Sequence, residues 1–170
     1  EAAECPEALQ TAIKLEAPIN IRNSATVAGT LVSSDGRSTF ATALLSLDAK
    51  ITVISGQSSI VSVGEYILTH PRGLITAITI PTNTKFAFEF VSKTPADKPL
   101  ICAAVTQWNS GRTRLALGGY GTSPMLAMDG TEADGLETAA RNAYHEANDE
   151  WASAEYRMDV AATLAKRCLE

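Results

Sequence analysis

Residues 21–49 read IRNSATVAGTLVSSDGRSTFATALLSLDA, and the order of residue types in this stretch decides how the rest of the chain is arranged. The β-branched pair Thr26 and Val27 predicts extended chain, and Gly29 a tight turn. Ser33, Ser34, Asp35 and Gly36 predict a polar loop. Phe40, Leu44 and Leu47, at i, i+4 and i+7, predict a helix starting at Ser38 or Thr39. A Gly in such a turn lets backbone amides approach a ligand with no Cβ in the way, and a helix start offers free N–H groups and partial positive charge. The arrangement suits an anion, a phosphate above all. A Gly turn leading into a capped helix with nothing bound uses the same residues.

The chain has 170 residues, 45% of them hydrophobic and 19% charged, which is ordinary for a globular protein of one domain or two small ones. A formal net charge of −5 argues against nucleic acid as a partner, because phosphate neutralisation needs clustered Lys and Arg. No apolar run reaches the roughly 18 residues of a membrane helix, and no secretory signal opens the chain, so a cytoplasmic location is expected. The three cysteines, Cys5, Cys102 and Cys168, are odd in number and widely spaced. They predict packed free thiols and not a disulfide framework or a metal site. His70 precedes Pro71 in a loop, and His145 stands beside Glu146 as a solvated side chain.

Working outward, Cys5, Leu9, Ala12 and Ile13 predict an amphipathic helix opened by Pro6. After the central helix, residues 50–55 and 58–63 form a hairpin around Gly56 and Gln57. A short piece at Glu65 to Leu68 follows, then a core strand over 74–80 closed by Pro81. The composition shifts at 81–84. Beyond it, Phe86, Phe88 and Phe90 alternate along a half-buried strand, and 100–108 and 113–119 make a second hairpin. Leu136, Ala139, Ala140, Ala143, Tyr144 and Ala147 mark one helix. Tyr156, Val160, Leu164 and Cys168 mark another, N-capped by Ser153, with Tyr156 as a core aromatic and Arg157 as a solvated charge. The fold class is α+β: a mixed first module over 1–81, then over 85–170 an antiparallel sheet covered on one face by C-terminal helices.

Two blocks of this sequence resemble the FAD-binding flavin subunits of the molybdenum hydroxylases, the xanthine dehydrogenase and carbon monoxide dehydrogenase family. The first is IRN-x-AT-V-x-G with its Ser/Asp loop and ALLSLDA. The second is RLALGGYGTSPMLA together with SAEYRMDVAATLAKRCL. The resemblance implies that residues 1–81 are the second subdomain of a molybdopterin-dehydrogenase-type FAD-binding domain, and 85–170 a carbon monoxide dehydrogenase flavoprotein C-terminal-like domain. It implies that Thr26, Val27, Ala28, Gly29 and Thr30 lie against the FAD pyrophosphate, that Ser38 opens the following helix, and that the backbone of Leu74 and Ile75 borders the flavin. The sequence departs from the family at two of these positions and at the one after Ser38. Ala28 stands where the first Gly of the turn is usual, Thr30 where Asn or Asp is usual, and Thr39 where an Asp commonly follows Ser38. Leu126 replaces a usual Arg.

The family's preceding segment, with its own Gly-Gly phosphate loop, is absent from this sequence. The partners implied are that missing N-terminal FAD subdomain, an iron–sulfur subunit and a molybdenum-cofactor subunit. No Ser/His/Asp grouping, carboxylate pair or metal-ligand spacing is visible, so any chemistry is a cofactor's. Two functions are expected: the FAD-binding part of a multi-subunit oxidoreductase that relays electrons to an external acceptor, or a flavin-free docking module derived from it.

Overall fold

A computed structural model describes residues 5–170; the first four residues of the 1–81 module lie outside the described part. The chain runs α1 (Glu7–Glu16), α2 (Ile19–Ser24), α3 (Val27–Val32), α4 (Thr39–Ser46), β1 (Lys50–Ser55), β2 (Gln57–Ser62), α5 (Val63–Thr69) and β3 (Leu74–Thr79). It continues with β4 (Thr84–Val91), β5 (Ile101–Trp108), β6 (Thr113–Gly118), β7 (Met125–Gly130), α6 (Leu136–Ala143) and α7 (Ala154–Arg167). The strands form two antiparallel sheets, ordered β2-β1-β3 and β4-β5-β6-β7. The α+β class and the C-terminal helical layer over the second sheet are as the sequence predicts.

The helix expected from Phe40, Leu44 and Leu47 is α4, and all of its residues are buried. It is buried on every side because it packs against both sheets. Phe40, Ala41, Leu44 and Leu45 join Ile51, Val53 and Tyr66 in the first core. Ala43 and Leu47 join Leu9, Ala12, Phe88, Cys102 and Ala104 in a second. The four-stranded sheet is therefore covered on both faces, not one: α1 and α4 lie on one side, α6 and α7 on the other. This is why every residue of β6 and six of the eight in β5 are buried.

Polar ties reinforce this junction. Ser46 and Thr106 share a hydrogen bond of 2.8 Å between hydroxyls. Gly36 and the bend after β6 are joined backbone to backbone, with Gly36 N donating to Gly121 O at 3.2 Å and Gly119 N to Gly36 O at 2.7 Å. A Cβ on Gly36 would run into the Tyr120 and Gly121 carbonyls. Asp48, in the turn after α4, pairs with Arg114 and lies 3.2 Å from Arg112 Nη1; Arg112 also holds Asp129 at 2.8 Å. Burial raises the Asp48 carboxyl, but Arg114, Lys50 and Arg112 outweigh it and hold the group below its ordinary value.

Several sequence expectations are corrected. Thr26 to Gly29 is not extended chain with a Gly turn. Thr26 caps α3, its Oγ1 accepting the Gly29 N–H at 3.0 Å, so the β-branched residue serves as an N-cap and Gly29 lies inside the helix. The Glu65 to Leu68 piece is helix α5, capped by Ser62. Residues 74–79 form an edge strand, half-buried at best, and not a core strand. Strand β7, in MLAMDG, was not expected. α6 stops at Ala143, although Tyr144 and Ala147 beyond it remain buried. Cys5 is exposed, whereas Cys102 is buried and Cys168 partly so. Burial pushes both of the latter thiols up to about 12.

The C-terminal helix shows the largest reversal. Tyr156 is 43% exposed, while Arg157 is fully buried. The face of α7 turned to the sheet is Ala154, Arg157, Ala161, Leu164 and Ala165, small enough on average to bring the helix close. Arg157 Nη1 donates to the carbonyls of Leu100 and Gly119, and Nη2 reaches both carboxylate oxygens of Asp149 at 2.8 and 2.7 Å. Burial raises the Asp149 carboxyl, but Arg157 and the Ala152 and Trp151 amides bring it below its ordinary 3.8.

Two predictions follow from this packing. Arg157→Ala strands Asp149 and two sheet carbonyls, and is expected to cost about 3 kcal/mol in urea unfolding. A carboxyl whose folded pKa is depressed contributes stability fully above its unfolded value and loses it as pH falls through the folded one. The wild-type melting temperature should therefore drop more steeply below pH 4 than that of Arg157→Ala, and parallel curves would refute the pairing as a stability term. Second, because the connection at 81–83 joins elements that share a core, native proteolysis should spare it; rapid cleavage there into two folded pieces would contradict the shared core.

Candidate functional site

A cleft of about 590 Å³ opens between the α1–α2 corner, α3 and the loop of residues 95–98. That size lies within the range of small-molecule sites, about 300–1,000 Å³. Ile13, Ile21, Val27 and Phe40 give it apolar walls, and Thr26, Gly29 and Thr30 line it as well. Four of the residues singled out in the sequence thus share one concave surface. Ala28, half-buried, is not part of that lining.

The hydrogen-bond capacity at the start of α3 is mostly used internally. The Gly29 N–H is taken by Thr26 Oγ1, the Thr30 N–H by Thr26 O at 2.9 Å, and Thr30 Oγ1 donates to the same carbonyl at 3.0 Å. Gly29 has ordinary helical backbone, and a Cβ there would lie 2.9 Å from Thr26 Oγ1. Its value is therefore lateral space beside the cap, and not a left-handed conformation.

The start of α4, expected to offer open N–H groups to a phosphate, already holds an anion. The Glu16 carboxylate lies against it: Oε2 accepts from Ser38 Oγ and from Phe40 N, both at 2.9 Å. Ser38 Oγ in turn accepts from Ala41 N at 3.1 Å. Thr39 Oγ1 donates to Ala12 O at 2.6 Å and lies 3.2 Å from the same Glu16 oxygen. Lys98 Nζ stands 3.7 Å from Glu16 Oε1 and 3.8 Å from Asp35. Ser38 is fully buried beneath the cleft and does not line it.

Leu74 and Ile75 lie outside the cleft, at the start of β3. Leu74 is 68% exposed, and Ile75 packs with the cluster that also contains Leu31 of α3. Beside Leu74, the outer face of the sheet shows Ile54, its direct partner on β1, and Ile60 on β2, all exposed.

Glu16, Arg22 and Lys98 were missed by the sequence reading. For Glu16 the signal was present: Leu9, Ala12 and Glu16 stand at i, i+3 and i+7, so the carboxylate sits on the buried stripe of α1. Among the described residues, no group of three or more His, Cys, Asp and Glu side chains could hold a metal ion, and no helix is long and apolar enough to cross a membrane.

The fold and the cleft define an α+β assembly with a small-molecule-sized opening beside the junction of its two sheets. Residues 2–83 match the family model of the FAD binding domain in molybdopterin dehydrogenase. The whole fold is similar to quinoline 2-oxidoreductase from Pseudomonas putida 86, with 20% identity, a TM-score of 0.77, and coverage of 98% of this chain and 67% of that one. It is also similar to the reconstituted CO dehydrogenase from Oligotropha carboxidovorans, at 24% identity and TM-score 0.75, covering 91% of this chain and 63% of that one. CO dehydrogenase from Hydrogenophaga pseudoflava matches at 19% identity and TM-score 0.73, with 92% and 63% covered. These likenesses establish the fold, and the chain spans about two thirds of the length of each. No curated protein sequence matches it significantly.

If Glu16 completes the α4 cap, Glu16→Ala should lose about 2 kcal/mol of stability, the scale of charge-assisted bonds to one buried carboxylate. The expected result is a lower urea midpoint with an unchanged slope; an unchanged midpoint would show that the cap does not depend on this side chain.

Proposed function

We propose that this chain is part of the FAD-binding subunit of a molybdenum-containing hydroxylase or dehydrogenase. In this reading residues 1–81 are the second subdomain of the FAD-binding domain and 85–170 the C-terminal-like domain of the flavoprotein. The observation that carries it is the coincidence of Thr26, Val27, Gly29 and Thr30 on one apolar-walled cleft within the stretch that matches the FAD-binding family model. Those four residues would hold the pyrophosphate side of FAD, with Ala28 behind them and Ser38 acting through the buried cap. Leu74 and Ile75, one element away, would border the ring. FAD, when bound, supplies reversible one- and two-electron transfer, and no side chain of this protein is needed as an acid, base or nucleophile.

Electrons would arrive from an iron–sulfur subunit served by a molybdenum-cofactor subunit, and leave to an external acceptor, in a cytoplasmic complex. The length of the matched structures beyond this chain, and the exposed Ile54, Ile60 and Leu74 on the outer sheet face, support a further polypeptide, the N-terminal FAD subdomain, as the second wall. A cleft walled on one side leaves much of a dinucleotide in water and binds it weakly.

A second reading, a flavin-free docking module of the same kind of complex, is favoured by the Gly29 and Thr30 N–H groups being taken by Thr26, and by the methyl that Ala28 carries where Gly is usual in the family. Flavin titration by fluorescence separates the two. The chain alone is expected to bind FAD weakly, and to gain affinity when the N-terminal subdomain is added. Gly29→Val should abolish that gain and leave most of the fold intact, since Gly29 has no left-handed backbone to preserve. Tight binding by the chain alone, or regained binding indifferent to Gly29→Val, would leave the docking module as the function.

A further inference from the structure

α3 has only six residues and its Gly29 and Thr30 N–H groups are taken by Thr26, while the start of α4 faces Glu16, so neither helix start offers an anion a full positive charge. The cleft has two lining cations outside the ion pairs of the described residues, Lys14 and Arg22; the third, Lys98, is engaged by Glu16 and Asp35. Of its two lining carboxylates, Glu16 accepts the Ser38 hydroxyl and the Phe40 amide and faces Lys98, and Asp97 accepts from Thr94 Oγ1 at 2.9 Å. Arg22 differs from Lys14 in being held. Its Nε donates to Ala17 O at 2.9 Å, which fixes the guanidinium plane, and this is the side chain's one hydrogen bond among the described residues. Neither Nη group has a hydrogen bond among the described residues, and Arg22 lines the same cleft as Thr26 and Thr30.

We infer that Arg22 is the anion-binding residue of the cleft, its two Nη groups forming a fork for the oxygens of a phosphate or pyrophosphate while Ile13, Ile21 and Val27 receive the apolar body of the same ligand. A guanidinium anchored through Nε has lost part of its rotamer freedom before the ligand arrives, and its planar pair of donors matches two phosphate oxygens where an ammonium offers a point charge. Within the FAD reading, on which this inference rests, Arg22 provides a positive contact to the phosphates that the start of α3, with Ala28 and Thr30, does not carry. It lies in IRN, one turn of chain before Thr26, and nothing in its local pattern marks it as part of a cleft.

The test compares FAD with riboflavin, which lacks the phosphates, on the wild-type chain with and without the added N-terminal subdomain, and on Arg22→Gln and Arg22→Lys. Arg22→Gln is expected to weaken FAD binding about tenfold or more, as loss of a charge-assisted pair does, and to flatten its dependence on salt. Riboflavin affinity should not change, and Arg22→Lys should recover part of the loss. Equal FAD affinity in Arg22→Gln, or an equal loss for riboflavin, overturns the inference and leaves the FAD reading standing. If wild type binds no flavin in either form, the FAD reading falls, and a titration with inorganic pyrophosphate decides the role of Arg22. Binding that Arg22→Gln removes keeps the anion site; no binding, or binding that survives the substitution, overturns it.

Discussion

Every residue of α4 is buried, and most of the architecture answers the demands of that burial. A helix enclosed on all sides cannot leave its first N–H groups or its hydroxyls to water, and an unsatisfied buried donor costs on the order of 1–3 kcal/mol. Each polar position therefore has an internal partner. Ser38 and the Phe40 amide find Glu16, Thr39 finds the Ala12 carbonyl, Thr42 finds the Ser38 carbonyl, and Ser46 finds Thr106 on the far sheet. These bonds fix where α1 ends and how the second sheet meets the first. They also settle the electrostatics of the cleft, because the carboxylate drawn in to cap α4 takes the spot that a ligand's phosphate would otherwise use.

The C-terminal layer applies the same rule with a charge. Arg157 reaches the sheet from a helix whose other buried residues are mostly alanines, and its guanidinium ties the ends of β5 and β6 to the turn before α7 through Leu100, Gly119 and Asp149. Replacing such a group by an apolar residue can be neutral if the whole set is repacked, whereas removing one member leaves the rest unpaired. Asp149 also accepts the Trp151 and Ala152 amides, so one carboxylate shapes the turn and neutralises the buried cation.

The elements legible from sequence were those announced by periodicity alone. α1, α4, α7, the β1–β2 hairpin and the β4, β5 and β6 strands each carry an apolar repeat or turn residues that tertiary packing did not override. The misreadings share a cause: the residue type fitted two local structures, and a partner distant in sequence chose between them. Thr26 and Val27 suit a strand, but Thr26 Oγ1 can also cap, and the cap prevailed. Arg157 suits solvent unless two sheet carbonyls and a carboxylate wait for it. Leu74 to Thr79 suits a core strand, yet its position at the edge of a three-stranded sheet leaves Leu74 in water. Of the candidate site, the Thr26 to Thr30 wall was readable from its resemblance to a known motif. The fillings of the two helix starts were not, since both depend on side chains arriving from elsewhere in three dimensions.

Any anion that enters this cleft competes with side chains of the chain itself. A phosphate that uses the Gly29 N–H has to share it with or displace the Thr26 hydroxyl, a capping bond of about 1 kcal/mol. At the start of α4 it has to displace a carboxylate that already accepts two hydrogen bonds and faces Lys98. Arg22 poses no such cost, because its Nε bond to Ala17 leaves both Nη groups without a partner among the described residues. The residues that a motif singles out can thus form the wall of a site while its charge comes from a neighbour, and the order of these costs puts that charge on Arg22.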